Sequence, residues 1–179
     1  VVGEGAGEVA FRSGNSLVGT TADDQVGNFP ITELTNGNYV VNSPLWNNDA
    51  ATLAGAVTWG NGATGISGAV SAANSLVGAT AGDIVGIDGI TVLANGNYVV
   101  LSSFWNNGAA TTAGAVTWGS GTAGVSGVVS AANSLVGSTT NDRVGGGDGG
   151  GIRVLTNDNY LVLSPNWANG AATSAGAVT

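Results

Sequence analysis

The sequence predicts an all-β protein made of three tandem repeat units, each with four short strands. The first supporting observation is recurrence: Asn15-Ser16-Leu17-Val18-Gly19 returns at Asn74–Gly78 and at Asn133–Gly137, 59 residues apart each time. A fixed spacing of this size is typical of repeat architectures. We therefore divide one domain, 1–179, into units 15–73, 74–132 and 133–179, with the last unit completed by 1–14.

The second observation is the strand pattern, which is clearest in unit two. Four strands are predicted there: Ser75–Val77, Ile90–Leu93, Tyr98–Ser102 and Ala113–Trp118. Asn95-Gly96 between the second and third strands predicts a type I′ hairpin, because both residue types tolerate positive φ. Val99-Val100 interrupts strict alternation and predicts that both faces of the sheet are covered. No segment sustains the 3.6-residue apolar period of a helix.

Several architectures accommodate such units: propeller blades, the sheets of a β-prism, the lobes of a trefoil or the turns of a solenoid. We favour a propeller-like or prism-like stack of sheets. Three units do not close a propeller, which typically has about four to eight blades. Val1 aligns with Gly119, and Thr179 aligns with the residue before Trp118, so the third unit is split between the termini. We expect completion within one molecule or between neighbours, and contacts that never close would give filaments.

Charged residues are scarce, at 8% of the chain, and the net charge is −8. The cations are Arg12, Arg143 and Arg153, which do not form the basic stripe that nucleic-acid binding needs. The same charge balance argues against docking on anionic membranes, and no apolar run is long enough for a membrane-spanning helix. A surface of Asn, Ser, Thr and Gly suits secreted β proteins, so we expect an extracellular or cell-surface location.

Catalytic residue types are largely missing. The chain has no His, Cys or Lys, which removes Ser-His and Cys-His nucleophiles, Schiff-base chemistry and the usual zinc ligands. We expect no enzymatic activity and no cofactor, and a hydrolase based on two carboxylates ranks last. Asp24, Asp83 and Asp142 recur once per unit and are predicted to accept backbone N–H bonds in turns. A weak calcium site that includes Asp88 or Asp148 is the alternative.

Tryptophan and asparagine also recur together, and they are the candidate ligand-binding residues: Trp46, Asn47, Trp105, Asn106, Trp167 and Asn169. An indole ring can stack on a sugar while a carboxamide bonds its hydroxyls, and one shallow glycan site per unit would give avidity. The competing interpretation is that these rings pack between units with their N–H bonded to backbone. Trp59 and Trp118 lie in a strand rich in small residues and are predicted to be packing residues.

The order of apolar strand, Asn-Gly, Tyr-Val-Val and a later strand with Trp resembles a kelch-type blade. The near-identical copies of Leu93–Val100, Ala113–Gly119 and Asn133–Gly137 also resemble the tandem β-strand repeats of large bacterial surface and secreted proteins, including hemagglutinin-like exoproteins. This resemblance spans the chain except Val1–Ser13. It implies an extracellular structural or adhesive protein, for which we expect self-association through terminal strands, with carbohydrate binding as the alternative function.

Overall fold

The computed structural model describes residues 14–147 and 149–179, and this part of the chain consists of strands, turns and loops without a helix. No membrane-spanning helix is therefore found in it. The described strands are β1 (Leu17–Val18), β2 (Thr32–Glu33), β3 (Tyr39–Ser43), β4 (Ala56–Gly60), β5 (Gly68–Ala69), β6 (Ser75–Val77), β7 (Ile90–Val92), β8 (Tyr98–Ser102), β9 (Ala115–Gly119), β10 (Gly127–Val128), β11 (Leu135–Val136), β12 (Gly151–Val154), β13 (Tyr160–Ser164) and β14 (Ala177–Val178). The all-β prediction is confirmed.

The described strands form four sheets, which we number along the chain. Sheet I is β1-β5, sheet II is β10-β6-β4-β3-β2, sheet III is β11-β9-β8-β7, and sheet IV is β12-β13-β14. Pairing is antiparallel except in the two short pairs β1–β5 and β10–β6, which are parallel. Sheet II therefore has the most strands. Sheets I, III and IV contain strands that are equivalent, by repeat position, to some of the strands of sheet II.

Successive units are joined by strand pairing. Strand β6 belongs to the second unit, yet it pairs with β4 of the first unit, with Ala56 opposite Val77 and Val57 opposite Leu76. Strand β11 of the third unit pairs with β9 of the second in the same register. Each large sheet therefore contains a hairpin from one unit and a strand from the next.

The four strands predicted for unit two are present, with bounds that differ by at most two residues. A fifth strand, β10, was missed, as was its equivalent β5 in unit one. Both contain only two residues, and their glycines, Gly68 and Gly127, have φ of 98° and 101°. Glycine is depleted in strands, so the sequence of these segments does not predict a strand. They are recognised as strands only by their pairing with a parallel neighbour.

The sheets stack face to face in the order I, II, III, IV. Val100 on one face of β8 packs with Val40 and Val57 of sheet II. Val99 on the opposite face packs with Val162 of sheet IV. Both valines are fully buried, which confirms that both faces of the strand are covered. The stack of sheets is established by these contacts, and its closure as a propeller or prism stays a prediction.

The type I′ hairpin prediction was wrong. Gly96 has φ of 83°, but Asn95 is not in the left-handed region. The N–H of Leu93 donates to the carbonyl of Asn97 at 2.8 Å, which closes a three-residue loop. Such loops need one left-handed residue at their third position, whereas a two-residue type I′ loop needs two. The Asn95 side chain instead accepts the N–H of Asn97 at 3.1 Å.

Candidate functional site

A buried carboxylate closes one loop in each repeat, and Asp83 shows the arrangement. Its Oδ2 accepts the backbone N–H groups of Ala79 and Thr80 at 3.0 and 2.8 Å. Its Oδ1 accepts the backbone N–H and the side-chain Nδ2 of Asn106 at 3.1 and 2.8 Å. Asn106 follows the third strand of the unit, so the carboxylate ties the loop after the first strand to the loop after the third.

The two other copies repeat this arrangement. Both carboxylates are buried, and they accept the following N–H groups: Thr20, Thr21 and Asn47 for Asp24, and Ser138, Thr139 and Ala168 for Asp142. Asp142 lacks one bond because Ala168 stands where the first two units have asparagine. These contacts match the prediction that the repeated aspartates accept N–H groups in turns.

The hydrogen bonds also shift the pKa of Asp24. Burial raises the pKa of a carboxyl group, but the backbone N–H bonds from Thr21, Asn47 and Thr20 and the side-chain bond from Asn47 outweigh it. The pKa of Asp24 therefore lies below its usual value of 3.8. An ionised carboxylate is the better acceptor for several N–H donors, so the loop and the charge stabilise each other.

The calcium prediction gains no support from these contacts. In the described ranges, no three His, Cys, Asp or Glu side chains lie close enough to hold a metal ion. Asp88 is engaged elsewhere, since its Oδ2 accepts the backbone N–H of Ser103 at 2.6 Å. Asp148 lies outside the described residues. The oxygen atoms of Asp24, Asp83 and Asp142 face N–H donors, which a cation would have to displace.

The repeated tryptophans lie inside the stack. Trp105 belongs to the apolar cluster between sheets II and III, and Trp46 to the cluster between sheets I and II. Trp167 is half-buried against the cluster between sheets III and IV. Stacking on a sugar needs an open ring face, so Trp46 and Trp105 do not fit the glycan prediction. The expected backbone bond is also missing at Trp46, whose buried Nε1 has no hydrogen-bond partner.

The predicted asparagines are used within the scaffold as well. The Oδ1 of Asn47 accepts the N–H of Leu53 at 3.0 Å, while its Nδ2 donates to Asp24 at 3.0 Å. Asn106 makes the same bridge from Asp83 to Thr112. Asn169 is exposed and occupies a different repeat position, equivalent to Asn48. The six candidate ligand-binding residues therefore do not form one binding site that is repeated in each unit.

The remaining two tryptophans differ, although their sequence surroundings are the same. The Nε1 of Trp59 donates to the carbonyl of Gly121 at 3.1 Å, beside the side chains of Asn36 and Asn38, which donate to the same oxygen at 2.8 Å. Trp118 is 46% exposed. Trp59 fits its predicted packing role and Trp118 does not.

Trp118 lies in a cleft between the hairpin loops of sheets III and IV. Asn95, Asn97, Asp158 and Tyr160 also line this cleft. Within the described residues, no carbonyl takes the place that Gly121 has beside Trp59. Sequence reasoning missed this difference because it arises from the neighbouring unit and not from the local residues.

Among families of known proteins, a repeat family matches the chain. The model of the family described as a repeat of unknown function (DUF5650) matches residues 4–28, 33–87, 92–146 and 154–179. The match over 33–87 begins in β2 and ends after β6, and the match over 92–146 begins in β7 and ends after β11. Each of these matches therefore spans the hairpin of one sheet and the strand that the next unit adds to it. The match does not link the chain to kelch blades or to hemagglutinin-like exoproteins. No curated protein and no solved structure matches the chain significantly. Because these four segments cover most of the sequence, the chain belongs to the DUF5650 repeat family.

Proposed function

We propose that this protein is a non-enzymatic structural or adhesive repeat protein of the extracellular space or cell surface, and that it assembles head to tail. The observation that supports this most directly is the use of its repeated polar side chains. Asp24, Asp83 and Asp142 are buried and bonded to N–H groups of their own loops. These side chains stabilise the loops of the repeat, which is the role expected of them in a structural protein.

Assembly is supported by the scarcity of charged residues, which make up 8% of the chain. Few charged groups would need to be desolvated when copies of the chain stack on one another.

The test is the size and shape of the purified 179-residue chain. We expect sedimentation velocity to show species whose size increases as the protein concentration is raised from about 1 to 200 μM. This range covers association with dissociation constants in the micromolar range. Negative-stain electron microscopy should show elongated or ring-shaped particles of stacked units. A chain that remains strictly monomeric over this range contradicts the proposal.

Carbohydrate binding is the second candidate, and the cleft beside Trp118 is the observation that favours it. The exposed indole lies next to Asn95, Asn97 and Asp158, which supply amide and carboxylate groups for sugar hydroxyls. A glycan array with the wild-type chain and Trp118→Ala tests it. Binding that Trp118→Ala abolishes supports this function. The absence of binding by the wild-type chain removes it.

A further inference from the structure

We propose that Arg143, Asn141 and Phe104 form a binding site for an acidic sugar, that is, a sugar unit that carries one carboxylate group. Phe104 lies in the loop after β8 of the second unit, and the other two residues lie in the loop after β11 of the third unit. The site is therefore built at the junction between these two units. It is separate from the cleft beside Trp118 and does not depend on head-to-tail assembly.

Arg143 is a cation that lacks an anionic partner. Its guanidinium carbon lies 5.8 Å from the centre of the Phe104 ring, which is a cation–π contact. Within the described residues, no carboxylate or other oxygen accepts a hydrogen bond from this guanidinium. An arginine side chain has five N–H donors and keeps its charge at all ordinary pH values. These donors are therefore available to a negatively charged ligand.

The carboxylates of the two neighbouring loops are already engaged. Asp142 is buried and accepts the N–H groups of three backbone positions. The Oδ2 atom of Asp88 accepts the backbone N–H of Ser103 at 2.6 Å. Neither aspartate forms an ion pair with Arg143, so the charge of Arg143 is not neutralised within the part of the chain that the structure describes.

Asn141 adds further donors to the same loop. Its Oδ1 atom accepts the hydroxyl of Thr112 at 2.8 Å, which fixes the orientation of the amide. The Nδ2 group of this exposed side chain has no partner among the described residues. The Cα atoms of Asn141 and Arg143 are at most about 7 Å apart, because two residues separate them along the chain. The loop therefore presents two sets of N–H donors close together, as an anion requires.

The backbone of the repeat does not need an arginine at this position. The φ angles of Gln25, Ile84 and Arg143, which occupy equivalent positions, are 43°, 45° and 47°. The N–H groups of Ile84 and Arg143 donate to the equivalent carbonyls of Leu53 and Thr112 in the preceding unit. Isoleucine and arginine thus support the same loop and the same junction. The guanidinium has no structural role that the repeat requires.

The other two positions of the site differ between the junctions in the same way. The equivalents of Phe104 and Asn141 at the junction of the first two units are Leu45 and Gly82. Together with Ile84, they provide no side-chain hydrogen-bond donor. The second junction has a phenyl ring, an amide and a cation at these three positions. The donors are therefore a property of one junction and not of the repeat.

The chemistry of these groups indicates the ligand. A guanidinium binds a carboxylate through two parallel hydrogen bonds. The Phe104 ring is 38% exposed, so it offers apolar surface beside the cation on which the C–H groups of a sugar ring can pack. The net charge of −8 repels polyanions. A single carboxylate on an otherwise neutral glycan therefore fits better than a polymer with a charge on every unit.

A peptide with a free C-terminal carboxylate is the competing ligand. Extended peptides are commonly held by main-chain pairing with the edge of a sheet. Phe104, Asn141 and Arg143 lie in loops and not on strands. The site therefore favours a sugar, and a peptide serves as a comparison in the test.

The test is an NMR titration of the isotope-labelled 179-residue chain with methyl glucuronide at neutral pH. Methyl glucoside is the matched ligand, because it has the same ring with a hydroxymethyl group in place of the carboxylate. We expect the glucuronide to bind at least about tenfold more tightly than the glucoside, since the charged hydrogen bonds are lost with the carboxylate. The signals of residues 141–143 and Phe104 should shift during the titration.

Two variants connect binding to the guanidinium. Arg143→Ile should weaken glucuronide binding at least about tenfold. It should fold normally, because isoleucine occupies the equivalent position of the second unit at Ile84. Arg153→Gln removes the same charge from an exposed position on β12 and should leave binding unchanged.

Each outcome supports or overturns the site. Preference for the glucuronide, together with its loss in Arg143→Ile alone, supports it. Equal binding of the two sugars, no binding of either, or equal effects of the two arginine variants overturns it. Shifts confined to the indole of Trp118 also overturn it, because the sugar then lies in the other cleft. N-acetyl-alanyl-alanine that binds as tightly as the glucuronide overturns the assignment to a sugar. None of these results bears on assembly, which sedimentation of the unliganded chain tests separately.

Discussion

At the scale of single residues, the repeated aspartates are buried carboxylates that hold loops together. Buried carboxylates are often found in binding sites, but here they have a structural role. Asp83 is buried and accepts four N–H groups from two separate loops. Burying a carboxylate is costly unless hydrogen bonds replace its hydration. Here three of the four bonds come from backbone N–H groups and the fourth from the side chain of Asn106, so the aspartate and its loops are stabilised together.

Replacing Asp83 with alanine should destabilise the fold. The change leaves four donors without an acceptor, and those of Asn106 are shielded from water more than those of Ala79 and Thr80. We expect the free energy of unfolding to fall by about 2–4 kcal/mol, measured by urea denaturation with tryptophan fluorescence. Asp49→Asn removes the same charge at an exposed position and should change stability by less than about 0.5 kcal/mol. Equal effects of the two changes would contradict the structural role of Asp83.

The lowered pKa of Asp24 predicts a loss of stability in acid. Because the folded pKa lies below the unfolded value of 3.8, the unfolded chain binds the proton more readily. The stabilisation is fully present above the unfolded pKa and is lost as pH falls through the folded pKa. We expect the urea midpoint to decrease as pH is lowered from 5 towards 2, and to decrease less in Asp24→Asn. If the variant shows the same pH dependence as the wild-type chain, Asp24 does not contribute.

At the scale of elements, the hairpin loops show how one backbone conformation is kept by different residues. The third loop position has φ of 82° at Gly37, 83° at Gly96 and 66° at Asp158. Glycine adopts this region without steric cost, and aspartate is tolerated there with some strain. The three hairpins therefore have the same geometry but unequal local stability.

Exchanging these residues should move stability in opposite directions. Asp158→Gly relieves a strained φ at an exposed position and should raise the free energy of unfolding by up to about 1 kcal/mol. Gly37→Asp introduces the same strain into the first unit, where a Cβ meets no other atom, and should lower it by a similar amount. Thermal unfolding of both variants decides this. A loss of stability in Asp158→Gly would show that its side chain makes a contribution larger than the strain.

At the scale of the whole molecule, the stack repeats one junction. The junctions between units combine antiparallel strand pairing, loop-to-loop backbone bonds and apolar packing between sheets. Stability of this kind comes largely from contacts between neighbouring units.

The net charge of −8 predicts how assembly depends on salt. Copies of the same sign repel each other at low ionic strength, and this repulsion is screened over about 3 Å in 1 M salt compared with about 30 Å in 0.01 M. Contacts between surfaces with few charged groups do not depend on ion pairs, so salt should not weaken them. We expect sedimentation velocity to show association several-fold tighter in 0.5 M than in 0.02 M NaCl. Dissociation by salt would indicate ionic contacts between copies instead.

The sequence by itself determined the repeat, the β class and the strand positions, because these depend on local residue pattern and on spacing. It also placed the repeated aspartates in turns, since an aspartate side chain often accepts backbone N–H groups nearby in a turn. It misassigned the hairpin type, because Asn-Gly is compatible with both two-residue and three-residue loops and the cross-strand bond of Leu93 decides between them.

Only the tertiary structure decided which of the equivalent residues in the repeats are buried. Trp59 and Trp118 have the same sequence neighbours, yet one is covered by the next unit and the other is exposed. The physical reason is that burial in a stack depends on the adjacent sheet and not on the strand itself. The sequence therefore repeats the same strand in every unit, and the neighbouring sheet decides which of its side chains are covered.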